Sequence, residues 1–499
     1  MNPQMLQDLH AFYPEIILTL ALLAVVVVDL AAPGIRKSAT FVVAALGLLL
    51  ALAFTVPQFA APQGTLFYGM VALDPMAVFF KGFLILTSFL ILLAAPGSKE
   101  ISKDHIGEFY TLLLGVTLGM VMLASAVDML MLFLSLEMVS LGSYIMVGYL
   151  SRDRQSNEAS LKYFLFGAVS TGSMLYGITL LFGLTGTTKM ALIREAIAQG
   201  AGGGNNSLML LVATVFILAG FGFKTASVPF HFWCPDVYTG APTPVTAFLS
   251  VAPKAAGFAT LIRFFFSSMS NTSGGGSVWA PLAGMNWMLL VLMISVVTMT
   301  LGNIAALRQE NMKRMLAYSS IAHAGYILMG AVVLTAQGLQ SILVYLITYL
   351  FMNLGAFLIV IEIYNRTGSF ELKDYQGFWH RSPFLTISMT VFMLSLMGIP
   401  PFAGFFGKLY VFGAAVNRDL AWYAVVGALN SVVAVYYYAR VIKTMIIEAP
   451  TEESGGDTIR LSWTSQVLLW IMLLPTAALM LIWDRIQTLT GASVKLFFG

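Results

Sequence analysis

Ala219-Gly220-Phe221-Gly222-Phe223-Lys224 recurs as Ala403-Gly404-Phe405-Phe406-Gly407-Lys408, with four of six positions identical. Each copy sits in a mostly apolar run of more than 30 residues that contains a helix breaker. Pro229 and Pro235 follow the first copy, and Gly398-Ile399-Pro400-Pro401 precedes the second. At 1.5 Å per residue, such a run is too long for one straight crossing of a ~30 Å hydrocarbon layer. Two discontinuous helices are therefore expected. Broken backbone at membrane depth survives only where it faces protein or water, which places both lysines inside a helix bundle.

Two further matches share the spacing of the first. Tyr144-Ile145-Met146-Val147-Gly148 lines up with Tyr326-Ile327-Leu328-Met329-Gly330, and Leu161-Lys162-Tyr163 with Leu343-Val344-Tyr345, all at offsets of 182 to 184 residues. Apolar blocks along the chain predict fourteen spans: 13–32, 39–57, 72–95, 107–125, 128–150, 158–184, 207–229, 243–266, 280–306, 313–334, 338–364, 384–416, 420–447 and 463–485. The offset carries the fifth span onto the tenth, the sixth onto the eleventh and the seventh onto the twelfth. Five is odd, so the second copy must be inverted. The expected fold is an all-α integral membrane protein with two inverted five-helix repeats. We divide the chain into 1–106 (the first three helices), 107–270 (first repeat), 271–450 (second, inverted repeat) and 451–499 (the last helix).

Composition agrees. Of 499 residues, 59% are hydrophobic and 10% charged, where a soluble domain needs about 25% charge to coat its surface. A net charge of +3, scattered along the chain, points away from nucleic acid. One cysteine, Cys234, excludes an intrachain disulfide and a protein-held iron–sulfur cluster, which takes about four thiolates. The first apolar run is preceded by Asp8 and Glu15 but by no Lys or Arg, so a cleavable signal peptide is not expected. Fifteen Lys and Arg lie in loops after odd-numbered spans and six in the other loops and termini, Arg263 among the six. By the positive-inside rule both termini are expected on the non-cytoplasmic face.

The informative residues are ionisable groups deep in the spans: Glu137 in the fifth, Lys224 beside the break of the seventh, Lys254 central in the eighth, and Lys408 after the break of the twelfth. Each costs roughly 2.5–3.5 kcal/mol at a helix centre, so the four together cost about 10 kcal/mol. They need partners or water. Static ion pairs answer that need; so does proton transfer, because burial lowers the proton affinity of an amine and a nearby carboxylate raises it. Lys81 and Lys162 lie nearer span ends, and Lys81 reads as a static charge. His231 and His323 either fill structural roles or bridge lysines through water, since neutral imidazole both donates and accepts. The chain has no G-x-G-x-x-G after a strand-like run, no H-E-x-x-H and no haem-attachment sequence, and Gly407-Lys408-Leu409 lacks the glycine spacing of a phosphate loop. No cofactor or metal is expected on it.

The run Gly222-Phe223-Lys224-Thr225-Ala226-Ser227-Val228-Pro229-Phe230-His231-Phe232-Trp233-Cys234-Pro235-Asp236-Val237-Tyr238-Thr239-Gly240-Ala241-Pro242-Thr243-Pro244-Val245-Thr246, with Lys254 beyond it, resembles the signature of the antiporter-like subunits of proton-pumping NADH:quinone oxidoreductase, respiratory complex I. Leu134-Ser135-Leu136-Glu137-Met138-Val139-Ser140-Leu141 resembles it too, and the likeness covers essentially the whole chain. The chain lacks the long lateral helix of the L-type subunit and has Lys408 where the M-type has glutamate, so it looks N-type. That resemblance implies that Glu137 gates Lys224, that Lys254 is the central relay, and that Lys408 serves the exit side or the next subunit. Lys162, His231 and His323 match positions along the hydrophilic axis. It implies an M-type subunit and small membrane subunits as neighbours, and a peripheral arm holding FMN and iron–sulfur clusters. It places the chain in the cell inner membrane or an equivalent energy-coupling membrane. A multi-subunit sodium/proton antiporter, a membrane subunit of an energy-converting hydrogenase and a non-transporting scaffold are the rival readings.

Overall fold

In the computed structural model, residues 3–31, 36–273, 278–282, 286–450 and 461–495 are described. Among these, thirteen helices are long and apolar enough to cross a membrane, and a broken pair supplies a fourteenth crossing. In chain order the crossings are α1 (Tyr13–Ala31), α2 (Arg36–Thr55), α3 (Pro75–Ala94), α4 (Ile106–Ser125), α5 (Met129–Val147), α6 (Arg154–Thr185) and α7 (Ser207–Thr225). The short α8 (Trp233–Gly240) continues α7, and α9 (Thr243–Ser268), α10 (Trp287–Ala306), α11 (Met312–Val332) and α12 (Ala336–Thr367) follow. The broken pair is α13 (Pro383–Met397) and α14 (Ala403–Val416), followed by α15 (Ala421–Ile446), α16 (Trp463–Ala478) and α17 (Trp483–Val494).

Both expected breaks are present. α7 stops at Thr225 with Ala226 in the left-handed region, and α13 stops at Gly398, φ +86°. The last crossing is also interrupted: Pro475 cannot donate within α16, and a short 3-10 turn, Leu479–Ile482, joins it to α17. Two short hairpins depart from the all-helical expectation. β1 (Gly64–Leu66) pairs antiparallel with β2 (Val71–Leu73), and β3 (Ser270–Ser273) with β4 (Val278–Pro281). The stretch from Ala280 is expected, on its apolar residues, to open the ninth span. Its backbone instead pairs across the hairpin, and the helix begins at Trp287, with the Asn286 side chain accepting from the Leu289 amide.

The repeat extends to local geometry. Gly186 and Gly368 cap the two 32-residue helices α6 and α12 with identical φ of +69° and ψ of 11°. The chain leaving each cap returns to the start of an earlier helix: Met129 N–H donates to Thr188 O at 2.9 Å, and Met312 N–H to Phe370 O at 2.8 Å. Glycines repeat as well. A Cβ on Gly119 would sit 3.2 Å from Val139 N, and one on Gly302 would sit 2.6 Å from Ala322 N, at the α4–α5 and α10–α11 crossings. Small residues at such crossings let membrane helices pack closely where no hydrophobic force drives them together.

α9 is buried at every position except Ser267, and α12 packs against it, with Asn353 Nδ2 donating to Ser250 Oγ at 2.6 Å. These two helices form the centre. Arg263, counted with the loop charges above, lies instead in the buried end of α9 and makes a two-pronged ion pair with Asp74 at 2.7 and 3.0 Å. Burial pushes the Asp74 carboxyl up, but the Arg263 guanidinium and the Ala77 amide outweigh it and hold the carboxyl below its ordinary range. Lys81 is fully buried and paired with Glu15 of α1 at 2.5 Å, which fits a static charge.

Candidate functional site

α7 ends where its sequence stops paying for a helix: Pro229 and Pro235 have no amide hydrogens, and α8 restarts at Trp233. The freed groups find partners. Ser227 N–H donates to Gly222 O at 2.8 Å, Val228 N–H to Thr298 Oγ at 3.0 Å, and Trp233 Nε1 to Phe223 O at 3.1 Å. Lys224 lies in the last turn before this break. Its Nζ is buried with no hydrogen-bond partner among the described residues, 5.8 Å from the Phe223 ring centroid. A Cβ on Gly257 of α9 would lie 3.0 Å from Lys224 Cβ, so the backbones bearing Lys224 and Lys254 approach closely.

Glu137 supplies the carboxylate whose charge reaches Lys224. The two make no ion pair within 4 Å, and among the described residues Glu137 Oε1 is likewise buried without a hydrogen-bond partner. Glu137 is half-buried on α5, whose neighbouring Leu134 and Leu141 are 63% and 53% exposed, so it stands at the lateral edge of the bundle.

Lys254 is held by α11: its Nζ donates to Ser320 O at 3.1 Å and to Ser320 Oγ at 2.5 Å. One turn along α11, His323 is clamped between two tyrosines, Nδ1 to Tyr345 Oη at 2.7 Å and Nε2 to Tyr438 Oη at 3.1 Å. Tyr438 Oη also bonds Ser319 Oγ at 2.5 Å. The charges of both Lys254 and Lys408 reach His323.

At the second break, Gly398 N–H turns back to Ser395 O at 2.9 Å, leaving the carbonyls of Leu396 and Met397 outside the helical ladder. Lys408, from the far half of the break, donates to them at 3.1 and 2.7 Å. A cation at a helix C-terminus is held by the partial negative charge of unpaired carbonyls. Lys408 Nζ also lies 5.1 Å from the Tyr326 ring centroid.

The structure therefore ranges Lys254, His323 and Lys408 along α11, Lys254 bonded to Ser320, His323 one turn on and Lys408 over the Tyr326 ring, and sets Lys224 and Glu137 together at the other end. Two named candidates lie apart. Lys162 forms ion pairs with Glu158 and Asp236, both at 2.8 Å, and Asp236 is shared with Arg314 at 2.7 Å. His231 is buried in the α7–α8 connection, its Nδ1 without a partner and its ring against Phe232 at 4.4 Å. Sequence reasoning missed Ser320, Tyr345 and Tyr438. Spacing was the available signal: Ser320 and His323 lie three apart on one helix face, as do His323 and Tyr326. Among the described residues no group of three or more His, Cys, Asp or Glu is placed to hold a metal.

Helix breaks at membrane depth with a lysine beside each, and a polar chain between them, define an antiporter-like polytopic membrane protein. The chain belongs to the NADH:quinone oxidoreductase/Mrp antiporter membrane family, whose model matches residues 126–434. NADH-quinone oxidoreductase subunit N of Anaeromyxobacter sp. (strain Fw109-5) is 43% identical over 98% of this chain and 97% of its own length. A chain of respiratory complex I from Thermus thermophilus superposes with a TM-score of 0.78 at 30% identity, covering 96% of this chain and 99% of its own. A chain of the Mrp complex from Dietzia sp. DQ12-45-1b shares the fold, with a TM-score of 0.84 at 20% identity over 98% of each chain.

Proposed function

We propose that this chain is the N-type membrane subunit of a NADH:quinone oxidoreductase, and that it moves protons along the line Glu137, Lys224, Lys254, His323, Lys408. Full-length similarity to a subunit N and to a complex I chain supports the assembly. The observation that carries the mechanism is Lys224: a buried ammonium beside a helix break, near one carboxylate but not joined to it.

An amine in that position responds to small movements of its neighbour. With Glu137 close, the ammonium is favoured; with Glu137 drawn outward, burial favours the neutral amine and the proton leaves. Glu137 is suited to move, because it stands at the bundle's edge, where a neighbouring subunit acts on it. Water bridges the step from Lys224 to Lys254, since no side chain joins them, and water-mediated bonds are nearly as favourable as direct ones. From Lys254, held by Ser320, the proton reaches His323 through water and the Tyr345 and Tyr438 hydroxyls that bond its two ring nitrogens, the neutral ring accepting at one nitrogen and donating from the other. Tyr345 and Tyr438 hold the ring in register. Lys408 receives the proton at the second break and passes it toward the far aqueous face or the next subunit.

Reduction of quinone takes place elsewhere in the assembly. A single thiol, Cys234, fits no iron–sulfur cluster, so FMN and the clusters belong to partner subunits, with an M-type subunit and small membrane subunits as neighbours. We place the chain in the inner membrane or its equivalent with both termini on the non-cytoplasmic face, on the loop-charge bias. We take 107–270 and 271–450 as the two repeats, flanked by 1–106 and 451–499. His231 and Lys162 serve the flanks of the line, Lys162 by holding Asp236 against Arg314 at the start of α11.

Proton pumping and quinone reduction measured on the assembled complex carrying Lys254→Ala test this reading. Pumping is expected to fail with assembly intact. A sodium/proton antiporter shares the fold; ion exchange by this chain without any NADH-oxidising partner would favour it instead.

A further inference from the structure

Apart from the lysine line, and sharing no residue with it, a groove of about 800 Å³ opens where five helix ends meet: the start of α2, the end of α3, the start of α4, the end of α12 and the start of α16. All five ends lie on the face that carries the basic loops. Its volume falls in the ~300–1,000 Å³ range of sites that hold small ligands.

The groove has two zones. Among the described residues, Lys37, Lys99, Lys103 and Arg366 line its mouth, with one carboxylate, Glu362. Glu362 accepts from Ser465 Oγ at 2.5 Å and lies within reach of the Arg366 charge, and Lys37 pairs with Asp104 at 2.7 Å. Among the described lining residues the basic groups outnumber the carboxylate, and the balance is positive. Trp463, 77% exposed, stands at its rim, as indole rings do at a membrane–water boundary. Below the rim the walls turn apolar, with Phe41, Val42, Val467 and Ile471 running along the helices into the membrane. A cationic mouth above an apolar slot, at the level where helices leave the bilayer, matches one class of molecule end to end. Soluble anions have no use for the slot, and a neutral lipid has none for the cations.

We propose that this groove seats an anionic phospholipid, its phosphate among Lys99, Lys103 and Arg366 and an acyl chain along Phe41, Val467 and Ile471. Basic pockets between membrane helices gain roughly the same favourable increment from each Lys or Arg. The site also has a structural use: the lipid bridges α2, α3 and α4 to α12 and α16.

The test uses the purified assembly in phosphatidylcholine nanodiscs doped with photoactivatable phosphatidylglycerol, with labelled peptides mapped by mass spectrometry. Labelling is expected within 461–471, saturable and competed by unlabelled phosphatidylglycerol. In the Lys99→Gln/Lys103→Gln/Arg366→Gln variant the apparent affinity is expected to fall on the order of a hundredfold. The matching Lys99→Arg/Lys103→Arg variant is expected to retain it. Equal labelling by photoactivatable phosphatidylcholine, unchanged affinity in the glutamine variant, or cross-linking of 461–471 to another subunit instead of lipid would each overturn the proposal.

Discussion

The Lys408 ammonium lies 2.7 Å from the Met397 carbonyl oxygen, so the second half of a broken helix is tied to the first by its own buried charge. The tie depends on Gly398. Its φ of +86° is disfavoured for any residue with a side chain, and an added Cβ would fall 2.8 Å from Lys408 Cδ. Gly398→Ala is expected to cost at least about 1–2 kcal/mol from the left-handed backbone alone and to displace Lys408. A lowered unfolding midpoint of the purified assembly, together with reduced pumping, checks this.

The clamp on His323 predicts unequal effects. Tyr438→Phe removes one of the two ring contacts and leaves Tyr345, whereas His323→Ala removes the imidazole itself, the group proposed to carry the proton from Lys254 toward Lys408. Pumping is expected to fall modestly in the first variant and by about 10²-fold or more in the second, the usual scale for losing a positioned proton-transfer group. Vesicle acidification at matched quinone-reduction activity measures it.

Asp74 and Arg263 set an acid limit. The carboxyl is held below its ordinary range in the folded chain, so its stabilising contribution is complete above the unfolded value and is lost as pH falls through the folded one. Asp74→Asn leaves Arg263 buried without its counter-charge and is expected to cost about 3–5 kcal/mol near neutrality. Below the folded value the difference from the parent is expected to shrink, as unfolding curves across acid pH will show.

Glu15 and Lys81 make the opposite kind of case. Both are fully buried and in contact, a static pair. Lys81→Met alone is expected to destabilise by about 3–5 kcal/mol, and Glu15→Gln/Lys81→Met to recover most of it, since a buried pair replaced as a unit is often neutral. Pumping per assembled complex is expected to be unchanged in the double variant.

Much of this was legible in the residues. Span count, both breaks, the 182–184 offset and the four mid-span charges all followed from apolar runs interrupted by proline, glycine and lysine, because lipid penalises charge and unpaired backbone so heavily. What eluded the sequence was pairing. Arg263 reads as a loop charge until Asp74, 189 residues earlier, is seen beside it, and Glu15 gives no hint of Lys81. Tyr345 and Tyr438 are ordinary aromatic residues in their own helices and gain meaning only where α11, α12 and α15 converge on His323. Ala280 and Pro281 of β4 fall inside the expected ninth span because an apolar stretch gives no sign of where a hairpin ends and the helix begins.

The most direct measurement is proton pumping by the assembled complex carrying Lys224→Ala or Glu137→Gln, with assembly verified on native gels. Near-complete loss of pumping in Lys224→Ala and a partial loss in Glu137→Gln is the expected result. Pumping at the parental rate in both variants, with the complex fully assembled, would contradict the assignment of this pair as the start of the line.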